Sequence, residues 1–355
     1  MTPLSVHDPA LGTLIAELAA DDALSVAAKA RQARAAQPAW AALPLVERKA
    51  CMARFRTAIV LELEPLAVIM TRETGKPISM SHHELNGLLG RIDFFLAEVK
   101  GATATQTVFN DSGMTEQIEH APLGVVANIS AWNYPWFVGG NVFIPALLTG
   151  NAVLYKPSEY ASMTGLAMAR LLHAAGVPGE VFVPLIGGGE VGAALLDQPI
   201  DGLFFTGSHA TGARIARAMG PRLVRLQLEL GGKDPTYVRE DANVRAAAES
   251  LADGAMYNTG QSCCSVERIY VHVSIHAPFG ANLEEVTPLP NKFYPPEGGG
   301  FKPESVPDEQ IHDAFVAAFV ATVKAFRGRR PDAGRHLHRP PHTRAAARCA
   351  RCAGA

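Results

Sequence analysis

The chain has 355 residues, a formal net charge of −2, 48% hydrophobic and 19% charged residues. That length suits two or three domains; the apolar share excludes an intrinsically disordered chain, and the near-neutral charge excludes a globally basic nucleic-acid binder. The balance is uneven: residues 328–355 hold seven Arg against one Asp, leaving 25 basic against 33 acidic residues in the remainder. Five cysteines (51, 263, 264, 349 and 352) are odd in number and not spaced like a disulfide framework, which predicts a reducing compartment. No basic stretch followed by an apolar one opens the chain, and no apolar run reaches the length of a membrane span. The expectation is a cytoplasmic protein with no membrane partner.

In chain order, residues 10–100 read as helices, with Gly75 and Pro77 as a stop. HHE at 82–84 lacks the second His of a zinc-protease helix and reads as surface; no metal site is expected. Residues 103–120 predict two short strands around an Asn110–Gly113 turn. From Leu123 the pattern changes. Apolar strand candidates at 123–130, 151–158, 181–186, 202–208 and 223–230 are separated in places by amphipathic stretches such as 161–175 and 210–219. Largely apolar strands divided by helices predict a parallel sheet covered on both faces, whose ligands bind beyond the carboxyl ends of the strands.

After His272 the pattern breaks. Residues 277–310 contain seven Pro and four Gly in 34 positions and read as a low-complexity insert. Residues 311–326 then form an amphipathic helical pattern, and 328–355 a basic tail too poor in aliphatic residues to bury a core. Cys349 and Cys352 with His336, His338 or His342 could form a zinc-binding tail, but no flanking element would pre-organise one. A shift of reading frame near Arg327 explains that composition more simply.

Several strand ends carry residues with chemical potential, each with a plainer alternative. Cys263 follows a Gly-Gln turn, where a thiol is accessible, although a lone Cys is ordinarily a small buried hydrophobe. Glu229 ends a strand before Gly231 and Gly232, as a general base or a solvated carboxylate. Asn133 is an amide donor or a turn former. Gly187, Gly189 and Gly192 have GxGxxG spacing, and Gly207 and Ser208 precede a helix whose N-terminus can receive phosphate; tight turns also need glycine. Lys156 and Glu159, in KPSE, are a nucleotide-ribose contact or a surface ion pair.

Taken together, AWNYPW, YKPSE, FTGS, LELGG and GQSCC, in that order and with 23 residues from Asn133 to Lys156 and 34 from Glu229 to Cys263, resemble the aldehyde dehydrogenase superfamily over about residues 35–272. The resemblance implies an α/β fold: a Rossmann-like parallel sheet with helices on both faces, an N-terminal helical segment and an incomplete α/β catalytic domain. It divides the chain into residues 1–228 (helices and coenzyme domain, with an oligomerisation-type hairpin at 103–120), a partial catalytic domain at 229–272 and 311–327, the insert at 273–310 and the tail. By motif, Cys263 is the nucleophile, Asn133 the oxyanion donor and Glu229 the base. Lys156, Ser158, Glu159, Gly189, Gly207, Ser208 and Gly212 are coenzyme contacts, with Ile129, Trp132 and Leu230 lining the same crevice. The implied coenzyme is NAD, since Glu159 disfavours a 2′-phosphate, with NADP possible; the substrate is a small aldehyde, and Trp136 and Phe137 suggest an apolar approach to it. The family forms homo-oligomers, but no Glu-x-Phe-Gly-Pro segment or final pairing strand follows Cys263, which would leave an exposed strand edge. Two readings follow: a working NAD(P)-dependent aldehyde dehydrogenase, or an inactive remnant that retains at most coenzyme binding.

Overall fold

A computed structural model describes residues 3–272. The insert, the helix at 311–326 and the tail with Cys349, Cys352 and its histidines lie outside the described residues. The chain separates into two compact units: Met1–Asp8, Thr13–Thr74 and Ser79–Leu230 form the first, and Pro9–Gly12, Gly75–Ile78 and the chain from Gly231 the second.

The first unit opens on an antiparallel pair, β1 (Leu4–His7) and β2 (Leu14–Leu18), where the sequence predicts helix from residue 10. Four helices follow: α1 (Ala23–Ala42), α2 (Leu45–Leu61), α3 (Leu63–Thr74) and α4 (Ile78–Ala102). Asp22 starts α1 with a capping box: its carboxylate accepts the Ser25 N–H at 2.8 Å, and Ser25 Oγ accepts the Asp22 N–H at 2.9 Å. The break between α3 and α4 falls at Gly75, whose φ of 71° is a left-handed conformation that glycine adopts without a Cβ clash. A hairpin, β3 (Gln106–Asp111) and β4 (Met114–Ile118), follows with every residue exposed.

The centre of this unit is a five-stranded parallel sheet: β5 (Val125–Ile129), β6 (Ala152–Lys156), β7 (Phe182–Pro184), β8 (Gly202–Gly207) and β9 (Arg225–Leu230), in the order β7-β6-β5-β8-β9. Crossover helices α5 (Pro135–Leu148), α6 (Ser162–Ala174), α7 (Gly189–Leu196) and α8 (His209–Met219) connect them. β6 is buried along its whole length because parallel strands flanked by helices lose both faces to the core. Phe143 of α5 packs edge-on against Phe55, Tyr155 and Phe182, at centroid distances of 6.2, 5.8 and 5.1 Å, joining α2, α5, β6 and β7 in one apolar cluster. The chain leaves β5 toward β6 and β7, then returns to β8 on the other side of β5. That reversal makes the β5/β8 boundary the topological switch point, where open α/β sheets form a ligand crevice at the carboxyl ends.

In the second unit, β10 (Asp234–Val238) and β11 (Val266–Val271) pair in parallel, joined by α9 (Val244–Gly260). Val238, Ala248, Leu251, Ala252 and Ile269 form its core. Asn243 caps α9, its side-chain oxygen accepting the Ala246 N–H at 3.0 Å. Among the described residues no helix is long and apolar enough to cross a membrane.

Candidate active site

The first unit aligns most of the predicted residues along the carboxyl edge of its sheet. Ile129 ends β5 and pairs with Lys156 of β6 on one side and Phe205 of β8 on the other. Thr206 and Gly207 pair with Glu229 and Leu230 of β9. Trp132 and Asn133 follow β5, Ser158 and Glu159 follow β6, and Ser208 follows β8. Parallel strands ending in register therefore gather residues that are far apart in sequence.

Lys156 is 4% exposed, yet its ammonium reaches the Pro157 carbonyl at 3.2 Å and stands 3.9 Å from Glu159 Oε2. Burial pulls its pKa below the ordinary lysine value, while Glu159 and Glu190 pull it back up. The plain surface ion pair of the sequence reading does not describe it, since the lysine end is buried and the Glu159 end is open to solvent. Ser158 Oγ donates to Glu159 Oε2 at 3.3 Å and accepts the Tyr160 N–H, so it orients the carboxylate and caps the short 3₁₀ turn that follows. Trp132 meets Tyr160 edge to face at 6.4 Å.

The glycines divide by what they do. Gly187 has a φ of 148°, and a β-carbon there would run into Val191, so it turns the chain from β7 into α7. At Gly189 a β-carbon would meet open space. At Gly212 it would stand 2.7 Å from Leu230 Cδ2, so this glycine lets α8 seat against the end of β9. Ser208 caps α8, its Oγ accepting the Thr211 N–H at 3.3 Å. The GxGxxG reading places phosphate at the α7 turn; there the Gly188 N–H donates to Glu190 Oε1 at 2.8 Å, so the chain's own carboxylate takes that position.

Asn133 Oδ1 accepts the Tyr134 N–H at 3.1 Å, which is turn chemistry at the oxygen end of the amide and leaves the Nδ2 end outside that bond. Immediately beyond, Glu84 accepts the Trp136 and Phe137 N–H groups at 2.8 and 3.1 Å, capping α5 from α4. Glu84 is 4% exposed, which corrects the surface reading of HHE at this residue. A helix whose own N-cap side chain makes no bond needs an acceptor for its first N–H groups, and Glu84 supplies it. Nothing local in the sequence signals this contact, which spans 52 residues. Trp136 also differs from expectation: it is fully buried and stacked on Phe55 at 6.4 Å, a core residue rather than a wall of a substrate approach. Glu229 is exposed, and Gln227 Nε2 donates to its Oε1 at 3.2 Å.

In the second unit, Cys263 and Cys264 form an exposed turn before β11. Asn258, Thr259 and Gly260 precede it in succession with φ of 51°, 58° and 67°. Left-handed backbone at two non-glycine residues stores strain of the kind concentrated at functional turns. Partial burial and the neighbouring Cys264 push the Cys263 thiol above the ordinary cysteine range. Ser262 Oγ and Cys264 Sγ lie 3.1 Å apart.

The parallel sheet with its switch point between β5 and β8 places the first unit in the doubly wound α/β class, and the buried Lys156 and solvent-facing Glu159 lie at the neighbouring end of β6, a donor set whose chemistry fits a nicotinamide coenzyme. Residues 1–289 match the model of the aldehyde dehydrogenase family, and the chain belongs to that family, whose enzymes use NAD or NADP. It is similar to 3,6-anhydro-alpha-L-galactose dehydrogenase of Streptomyces coelicolor, 36% identical over 292 residues, covering 81% of this chain and 59% of that one. It is also 35% identical to N-succinylglutamate 5-semialdehyde dehydrogenase 1 of Caulobacter vibrioides over 318 residues, covering 88% and 66%. The chain thus spans less than two thirds of the length of either relative. Among solved structures it resembles PnpE in complex with nicotinamide adenine dinucleotide, with a TM-score of 0.79 and 29% identity over 94% of this chain and 62% of that one.

Proposed function

We propose that this chain oxidises an aldehyde to a carboxylic acid with NAD(P) as hydride acceptor. The observation that carries the reading is the register of the sheet, which sets Ile129, Lys156, Gly207, Leu230 and Glu229 along one carboxyl edge. Lys156, Ser158, Glu159, Gly207 and Ser208 would hold the coenzyme there, and Glu159 would accept from its ribose hydroxyls. A bound nicotinamide would supply the acceptor for the hydride lost from the substrate carbon.

The protein's own steps are covalent and acid–base. Cys263 Sγ, as the thiolate, attacks the aldehyde carbon and forms a thiohemiacetal. Asn133 Nδ2 donates to the oxygen that becomes negative; the bond from Tyr134 N–H to Oδ1 fixes the amide plane beforehand. After oxidation the carbon is a thioester. Glu229 then takes a proton from water, the hydroxide attacks the acyl carbon, and the acid leaves as the C–S bond breaks.

The raised Cys263 thiol favours a second reading, a chain that binds coenzyme without turning over. NADH appearance across a panel of aldehydes separates the two. Turnover abolished by Cys263→Ala supports the enzyme, and NAD binding with no NADH from any aldehyde supports the remnant.

A further inference from the structure

Lys156 crosses more than its own strand end. A β-carbon at Gly192 would stand 3.7 Å from both Lys156 Cδ and Cε, so the lysine stem lies against α7, whose Glu190 raises the ammonium's affinity for its proton. Glu190 is exposed but not loose: its Oε1 is tied to the Gly188 N–H at 2.8 Å. Glu159 Oε2 stands 3.9 Å from the same ammonium. One buried cation therefore stands beside Glu159 and feels Glu190 from the next strand end, and the trio carries a net charge of −1.

We propose that Glu190 is a second coenzyme-selecting carboxylate, acting with Glu159 to keep Lys156 from pairing with a 2′-phosphate and so favouring NAD over NADP. The inference rests on the reading that the coenzyme binds at this sheet edge. A 2′-phosphate would bring about two negative charges to a cation already outnumbered. The lysine cannot swing out to meet it, because its stem is buried between β6 and α7. Glu190 cannot readily swing away, because leaving the Gly188 N–H uncovers the start of α7. The Gly188 and Glu190 N–H groups and Lys156 all hold the Glu190 carboxyl below its ordinary pKa, so it is ionised at neutral pH. Removing the Glu159 charge alone thus leaves the second repulsive group in place.

The test is binding rather than turnover. NAD and NADP are titrated calorimetrically into the full chain, into Glu190→Gln, into Glu159→Gln and into the double variant. Glutamine at 190 keeps an oxygen to accept the Gly188 N–H, so it removes the charge and retains the cap. The expected result is a preference for NAD in the parent chain that Glu190→Gln narrows by about three- to ten-fold, with NAD affinity little changed. The double variant should narrow it further than either single one. Raising the ionic strength should shrink the parent preference, because the Glu190 carboxylate is solvent-exposed. An NAD-to-NADP affinity ratio in Glu190→Gln within about two-fold of the parent, with NAD still bound, overturns the role of Glu190 and leaves it a helix cap. No NAD binding by the parent chain overturns the coenzyme reading itself, and this proposal with it.

Discussion

Cys263 is held with its thiolate disfavoured. Its thiol lies above the ordinary range because partial burial disfavours the thiolate, and because Cys264 adds both a like charge and a hydrogen bond to the protonated form. The rate of alkylation of Cys263 by iodoacetamide, followed by peptide mapping, should therefore rise with pH to a midpoint above that of a free cysteine. Replacing Cys264 by Ala should lower that midpoint while leaving the contribution of burial. A midpoint at or below the ordinary value in the parent chain would contradict the assignment of causes. Asn133 makes the turn of its plainer reading, and the oxyanion role stays a proposal. Its oxygen accepts the Tyr134 N–H, and the proposed oxyanion contact would use the nitrogen end.

At the level of elements, two helices that open beyond strand ends are capped from elsewhere in the chain. α5 and α6 have Tyr134 and Ala161 at their N-caps, and neither side chain makes a capping bond. Glu84 of α4 serves α5, and Glu73 of α3 serves α6, accepting from the Met163 N–H at 2.5 Å and from the Thr164 N–H and Oγ at 2.7 Å. Glu84→Ala strands one buried and one part-buried N–H group and should cost about 1–3 kcal/mol in denaturant unfolding. Glu84→Gln keeps the accepting oxygen and should cost only about 0.3–1 kcal/mol through the lost charge at the helix start. Equal costs for the two variants would mean that the cap is not what Glu84 contributes.

Glu73 adds a pH dependence. Its burial outweighs those three hydrogen bonds and raises its pKa from 4.5 to about 7. A raised folded-state value means the protonated form is the better tolerated one. Its contribution to stability is complete below pH 4.5 and is lost as pH climbs through about 7. The full swing is about 3 kcal/mol. Unfolding free energies measured across this range should decline for the parent chain, and the decline should flatten in Glu73→Gln. That variant should also be less stable at low pH, since one of its side-chain ends can no longer accept from Thr164.

At the level of the whole molecule, the sheet was the most legible part. Strands buried on both faces read as unbroken apolar runs, and 151–158 and 202–208 contain β6 and β8 almost to the residue. The candidate site was legible for the same reason, since chemistry in such sheets gathers at strand ends. What escaped the sequence was short or long-range. LSVH and LIAEL are too brief and mixed to announce the β1–β2 pair. The Glu73 and Glu84 caps join residues 90 and 52 apart, with no local pattern to reveal them. Trp136 lies just beyond Asn133 in the sequence, which suggests a pocket wall, whereas the helical turn after Pro135 points it into the core beside Phe55.

The proposed function requires that Cys263 carries the acyl group and that Glu229 frees it. Its most direct test is the intact mass of the Glu229→Gln chain after mixing with NAD and an aldehyde. With water activation removed, an acyl adduct should accumulate on the peptide bearing Cys263 and be absent from a Glu229→Gln/Cys263→Ala chain. An unmodified Cys263 with every aldehyde tried, in a chain shown to bind NAD, would contradict it.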